Sequence, residues 1–247
     1  MGIFGNLFKK KEVLPPFDLG RFKTDMHSHL IPGIDDGSQS MDQTIAMLAK
    51  FESLGYTKVV TTPHIMSDTF PNNKETIEAG LKEVQKEIKK VGIQIEIEAA
   101  AEYYFDETLM PKIKSKELLT FGDNYVLVEF AFHSSPQYLD QLFFELKTHG
   151  YRPVIAHFER YIYYLGKIDN AEEWRTNGIN IQINLNSLFG QYGPDIKKQA
   201  EKLIDAGQFD FVGTDCHRIE HLMFLEDHLS SPYLHKIGKY LVKNMVL

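Results

Sequence analysis

His27 and His29 stand one residue apart, and Asp35 and Asp36 follow within the same stretch, TDMHSHLIPGIDDGS. Comparable groups recur at the ends of later apolar runs: His64 in TTPH, Glu102 in AAAEYY, Glu129 in LVEF, His157 and Arg160 in AHFERY, then Asp215, His217 and Arg218 in GTDCHR. Imidazoles and carboxylates, with no thiolate required, suit Mn²⁺, Fe²⁺, Zn²⁺, Co²⁺ or Mg²⁺. His27, His29, His64, His157, His217, Asp36, Glu102, Glu129 and Asp215 are too many for one ion. They fit two or three ions that share a bridging carboxylate. Such a cluster lowers the pKa of a bridging water and clamps phosphate oxygens. Arg160 and Arg218 add planar donors for a phosphate. The combination points to phosphoester hydrolysis.

Each group alone has an ordinary explanation. A single histidine is more often a packing or surface residue than a ligand, and H-x-H by itself is a weak motif. Asp35 beside Gly37 suits a turn, and Asp36 could cap a helix starting near Ser40. The weight lies in all nine falling at the same end of successive strands, where period two also puts His27 and His29 on one side. His149, His228 and His235 lack such companions and read as surface residues. His133 and His221 fall just past strand ends and read as supporting groups. Cys216, flanked by Asp215 and His217, reads as a small buried hydrophobe.

These residues need a scaffold that gathers them. Candidate strands run over 22–29, 58–64, 93–103, 125–130, 152–157, 179–185 and 209–215. Helical patterns fill 39–54, 74–91, 135–149, 169–177 and 194–206, the last framed by Pro194 and Gly207. Strand alternating with helix implies a parallel sheet. Near-continuously apolar strands imply that both faces are covered. Seven such units, with no break in composition, predict an α/β fold: a distorted, seven-stranded TIM-like barrel. Its C-terminal strand ends would share one face, where barrel active sites sit.

At 247 residues the chain suits one such domain over 21–247, preceded by an N-terminal arm over 1–20 that is expected to be flexible. A net charge of −7 argues against nucleic-acid binding. The lone cysteine excludes an internal disulfide and fits a reducing, cytoplasmic setting. The arm, MGIFGNLFKKKEVLPPFDLG, has too short an apolar stretch to cross a bilayer. Its lysines follow the apolar part, unlike a secretory signal. A solvated arm is the plain reading; the alternative is a weak membrane-surface contact through Ile3, Phe4, Leu7, Phe8 and the lysines, which would make a cytoplasmic protein peripheral to the inner membrane. Oligomeric state is not legible.

Over roughly 22–220, the motifs DMHSHLIPGIDDGS, TTPH, AEYY, LVEF, AHFERY and TDCH resemble the polymerase-and-histidinol-phosphatase (PHP) superfamily. Within it they resemble the bacterial manganese-dependent protein-tyrosine phosphatases of capsule and exopolysaccharide operons, the CpsB/YwqE type. The resemblance implies a distorted (β/α)7 barrel with a trinuclear metal site. It implies one metal on His27, His29, Glu102 and Asp215, a second on Glu102, Glu129 and His157, and a third on Asp36, His64 and His217. It implies that Arg160 holds the phosphate. It also implies a second arginine several residues past the last ligand, where this chain has Leu222; Arg218 is the nearest substitute. The implied reaction is hydrolysis of protein phosphotyrosine by a metal-bridging hydroxide, with a tyrosine autokinase of the same polysaccharide system as substrate. His133 and His221 are candidates for any general acid. Tyr103, Tyr104, Phe105, Phe132, Phe158 and Tyr161 either line an aromatic rim or simply pack the barrel mouth.

Rival classes are answered by residues. A thiol phosphatase needs Cys-x5-Arg, and Leu222 stands where that arginine would be. No phosphate-binding loop of NTPases occurs. Many amidohydrolases carry a bridging lysine at the fourth strand's end, and here that place holds Glu129. A histidinol-phosphate or other small-molecule phosphomonoesterase of the superfamily is the nearest alternative. A non-catalytic binding module on the same fold is the remaining one, against which the complete ligand set argues.

Overall fold

The computed structural model describes residues 14–247. Its strands are β1 (Thr24–Asp25), β2 (Lys58–Thr61), β3 (His64–Ile65), β4 (Glu96–Ala99), β5 (Glu102–Tyr104), β6 (Tyr125–Glu129), β7 (Arg152–Ile155), β8 (Asn180–Asn184) and β9 (Phe211–Gly213). Its helices are α1 (Met41–Ser53), α2 (Lys74–Val91), α3 (Leu109–Ser115), α4 (Leu139–Thr148), α5 (Ile168–Thr176), α6 (Pro194–Ala206), α7 (Ile219–Glu226) and α8 (Pro232–Ile237).

All strand pairings are parallel, in the orders β1-β2-β4 and β3-β5-β6-β7-β8-β9. The two sets are one ring, because β2 runs on into β3 and β4 into β5. Thr62-Pro63 interrupts the first run, where proline has no N–H to give the ladder. Pro63 still accepts from the Glu102 N–H at 3.1 Å, so the register carries across the break. The ring closes where Ser28 pairs with Cys216, and where the His29 N–H donates to Cys216 O at 2.9 Å. Seven strand positions result, as the sequence predicts. Met26, Val60, Leu127, Val154 and Phe211 fill the barrel interior, and a larger apolar cluster joins the strands to the helices.

Helix boundaries follow their caps. Ser40 accepts from the Gln43 N–H and starts α1, so the helix is capped by Ser40 and not by Asp36. Asn73 caps α2, and Pro194 and Gly207 bracket α6. The expected strand at 22–29 is regular only over Thr24–Asp25, because Leu19–Phe22 forms a 3-10 turn and Lys23 takes φ 61°. The helix expected from 135 starts at Leu139, after Tyr138 at φ 62°. The short α3, α7 and α8 carry too few turns for their period to show in the sequence.

Residues 1–13 of the expected arm lie outside the described residues. Within the rest of it, Phe17 and Leu19 are buried in the core, and the Phe17 N–H donates to Leu229 O at 2.8 Å. The chain is therefore packed from Phe17 onward, four residues before the expected start of the domain at 21. Among the described residues no helix is long and apolar enough to cross a membrane.

Candidate active site

The strand ends deliver their polar residues to one bowl. His64 and Glu102 are register partners on β3 and β5, and Tyr104 on β5 pairs with Glu129 on β6. His157 and Asp215 follow β7 and β9 with φ of 30° and 49°, left-handed values that cost a non-glycine residue about 1–2 kcal/mol. Such strain persists where surrounding structure enforces it, commonly at functional sites. The IDDGS loop folds back on the first strand so tightly that a Cβ at Gly37 would lie 2.3 Å from His29 Cβ. Gly213 leaves similar room beside His27, whose Cβ would meet an added Cβ at 2.8 Å.

Glu102 is the centre. Its Oε2 lies 3.1 Å from His27 Nε2, 3.2 Å from His64 Nδ1 and 3.4 Å from His29 Nε2, and its Oε1 lies 3.2 Å from His157 Nε2. Both oxygens are buried, yet neither accepts an aligned hydrogen bond. A buried, unsatisfied carboxylate demands an explanation. His27 Nε2 and His29 Nε2 also converge to 3.4 Å, as ligands of a shared ion would. Ligand atoms cluster as His27, His29, Glu102 and Asp215; as His29, Asp36, His64 and His217; and as His64, Glu102 and Glu129. His157 lies outside these three groups, with Nε2 3.2 Å from Glu102 Oε1 and 3.5 Å from Glu129 Oε1. His29 and His64 thus each stand in two groups, which differs from the simple partition the resemblance implies. Asp36 is the outermost member, with its side chain 58% exposed and Oδ1 3.4 Å from His217 Nε2.

The electrostatics show a site short of positive charge. Burial opposes protonation of His27, but Glu102 and Asp215 hold it above the ordinary imidazole range. Burial likewise opposes His29, and Asp35 and Asp215 hold it well above. Burial pushes Glu102 up, while His27, His64 and His157 hold it well below the usual carboxylate range. The donor set, the orphaned Glu102 oxygens and this charge balance all fit divalent metal ions.

The sequence matches the model of a family described as capsular polysaccharide synthesis, CpsB/CapC, over residues 23–244. The chain belongs to the CpsB/CapC family. The CapC protein of Staphylococcus aureus is 32% identical over 225 residues, covering 88% of each chain. The tyrosine-protein phosphatase YwqE of Bacillus subtilis is 28% identical, covering 79% of this chain and 78% of its own. The fold agrees with a solved structure from work on YwqE of Bacillus subtilis and CpsB of Streptococcus pneumoniae, described as metal-dependent tyrosine phosphatases. The TM-score is 0.75 at 26% identity, covering 90% of this chain and 94% of the other. An amidohydrolase from Mycoplasma synoviae shares the fold at TM-score 0.56 and 13% identity.

At the rim of this CpsB/CapC-family bowl, Arg160 Nη1 donates to Asp215 Oδ2 at 2.8 Å. Its guanidinium sits between the rings of Phe132 and Tyr192, 4.5 and 4.3 Å from their centroids. Arg218 is exposed at the start of α7 and also lines the bowl. Leu222 is fully buried in the core and offers nothing to it. His221 lines the bowl, with Nδ1 3.3 Å from Asp215 O, whereas His133 is exposed and stands apart from the lining. Of the six expected rim aromatics, Phe132 lines the bowl, Tyr104 and Phe105 line an adjoining groove, and Tyr103, Phe158 and Tyr161 are core packing. Cys216 is buried against Met47, as expected.

Sequence reasoning missed how the cluster is oriented. Asp35 does shape the turn, accepting from the Gly37 N–H at 3.0 Å, but its other oxygen lies 2.8 Å from His29 Nδ1. Gln182 Oε1 lies 3.2 Å from His27 Nδ1 and accepts from the His157 N–H. Asn184 Nδ2 donates to Asp215 Oδ2 and to the Tyr192 hydroxyl, each at 3.2 Å. The alternation NIQIN at 180–184 carried a signal for Gln182 and Asn184, since it puts amides on one face of an otherwise apolar strand. Tyr192, between Gly190 and Gly193, had none.

Proposed function

We propose that this chain hydrolyses phosphotyrosine on proteins and that its ligands are His27, His29, Asp36, His64, Glu102, Glu129, His157, Asp215 and His217. Two or three divalent ions, manganese foremost, would be held there. When bound they supply a nucleophilic water at neutral pH and polarise the phosphate. The observation that carries the reading is Glu102, buried with two unpartnered oxygens among four imidazoles, with Arg160 fixed at the rim above it. The phosphatase names of the family relatives point the same way.

The protein groups divide the work. Asp35 and Gln182 fix the imidazoles of His29 and His27, so the ligand nitrogens face inward before any ion arrives. Among the described residues, the one hydrogen bond of the Arg160 side chain goes to Asp215, which leaves the rest of its fork for phosphate oxygens. Arg218 would add charge at the mouth. Phe70, Phe132 and Tyr192 give the bowl aromatic walls for a phenyl ring. A phenolate leaves readily, since its conjugate acid has a pKa near 10. The demand for a general acid is therefore weak, and His221 is the side chain placed to meet it.

On this reading the substrate is a tyrosine autokinase of the polysaccharide system, met at the cytoplasmic face of the membrane by a single barrel domain. A substrate panel with metal-reconstituted protein tests it: a phosphotyrosine peptide, a phosphoserine peptide and histidinol phosphate. Turnover of the phosphotyrosine peptide well ahead of the others, abolished by chelation, is the expected result. Preference for histidinol phosphate would overturn it.

A further inference from the structure

The bowl continues past its own rim. A second concavity adjoins it, sharing Met66, Glu129 and Phe132. That saddle in turn shares Tyr104, Asp106 and Ala131 with an open cavity of about 510 Å³. Together they form one groove leading away from the carboxylate cluster. Its character changes along the way, since imidazoles and carboxylates line the bowl while Phe105, Met110, Pro136 and Tyr138 line the far end. Tyr138 leaves 73% of its surface in solvent, at a left-handed φ of 62°. A bulky aromatic in that state is unfavourable for the fold alone.

The outer groove also has a sign. Asp68, Asp106 and Glu107 line it against Lys114 alone. Asp106 is engaged by the Ser67 and Thr108 N–H groups, so it holds the loop as well as charging the wall. Such a groove repels acidic neighbours and accepts apolar ones.

We propose that this groove binds the polypeptide around the phosphotyrosine, its far cavity taking an apolar or aromatic side chain near the phosphotyrosine in sequence. The inference rests on the phosphotyrosine reading and adds where the rest of a protein substrate lies. Continuity with the bowl carries it, because a chain whose phosphotyrosine enters the bowl must leave along an open side. In an extended chain the side chains two residues either way point to the same face as the phosphotyrosine. A small phosphomonoester would leave the groove empty.

The test compares free phosphotyrosine with matched phosphotyrosine peptides bearing Leu, Ser or Asp two residues to either side. On at least one side, Leu should exceed Asp by roughly tenfold or more in kcat/KM, the scale an apolar pocket gives. In Met110→Gln the preference should shrink to about twofold, with free phosphotyrosine turnover unchanged. Tyr138→Asn, at an exposed position where asparagine accepts the left-handed backbone, repeats the test without disturbing the core. Equal turnover of the three peptides by the unmodified protein overturns the proposal. So does a variant that loses free phosphotyrosine turnover as much as peptide turnover. Inertness towards every phosphotyrosine compound, with activity on histidinol phosphate, overturns the phosphotyrosine reading instead and takes this inference with it.

Discussion

Asp215 faces Arg160 with one oxygen and the histidines with the other. Oδ2 lies 2.8 Å from Arg160 Nη1, while Oδ1 lies 3.3 Å from His27 Nε2 and 3.4 Å from His217 Nδ1. One carboxylate thereby ties the histidine cluster to the guanidinium above it.

Arg160→Lys should therefore lower kcat/KM by about 10²-fold or more, because lysine keeps the charge but loses the planar fork. Steady-state kinetics check this, with elemental analysis in parallel. Metal content should stay near that of the unmodified protein.

The stacking of Arg160 on Tyr192 separates two variants. Tyr192→Phe keeps the ring at 4.3 Å from the guanidinium and should stay within about threefold of full activity. Tyr192→Ala removes one of the two rings that flank the guanidinium and should raise KM by roughly 2- to 30-fold, the factor that about 0.5–2 kcal/mol of cation–π attraction represents. Inhibition by orthophosphate should weaken in step.

Asp35→Asn keeps an acceptor for the Gly37 N–H but removes the carboxylate 2.8 Å from His29 Nδ1. Metal affinity should fall by about 10- to 100-fold, the usual effect of losing such an orienting partner. Titration against a competing chelator measures it. His29→Ala should lower the metal content outright.

Chelation should both abolish turnover and lower the melting temperature, because ions that bind only the folded chain stabilise it by about 2.7 kcal/mol at a hundredfold excess over Kd. Manganese should restore both, followed by scanning calorimetry and activity on the same sample.

Asp106 gives a pH signature distant from the cluster. Burial pushes its carboxyl up, but donation from Thr108 and Ser67 holds it below the usual range. A depressed pKa contributes stability above the unfolded value, near 3.9, that is lost as pH falls through the folded value. Asp106→Asn should therefore lower the melting temperature at pH 6 and show a shrinking difference as pH drops below about 4.

Local stretches of sequence specify the elements and the ligand types. Pro194 and Gly207 bracket α6, the apolar run YVLVE forms β6, and the histidines and carboxylates follow strand ends, because caps, periods and turn residues act over a few positions. The sequence could not show that Leu19–Phe22 curls before β1, or that α3 and α7 form, since each is shorter than the stretch over which a helical period becomes visible. Closure of the ring, where Ser28 pairs with Cys216, is a long-range event that no local pattern encodes. That closure brings Asp215 to His27 across 188 positions and lets His29 and His64 each serve two ligand groups. The same closure and register set Gln182 behind His27, Tyr192 against Arg160, and the apolar groove beside the bowl. These are non-local pairings, fixed by strand register and packing, and no window of the sequence contains both partners.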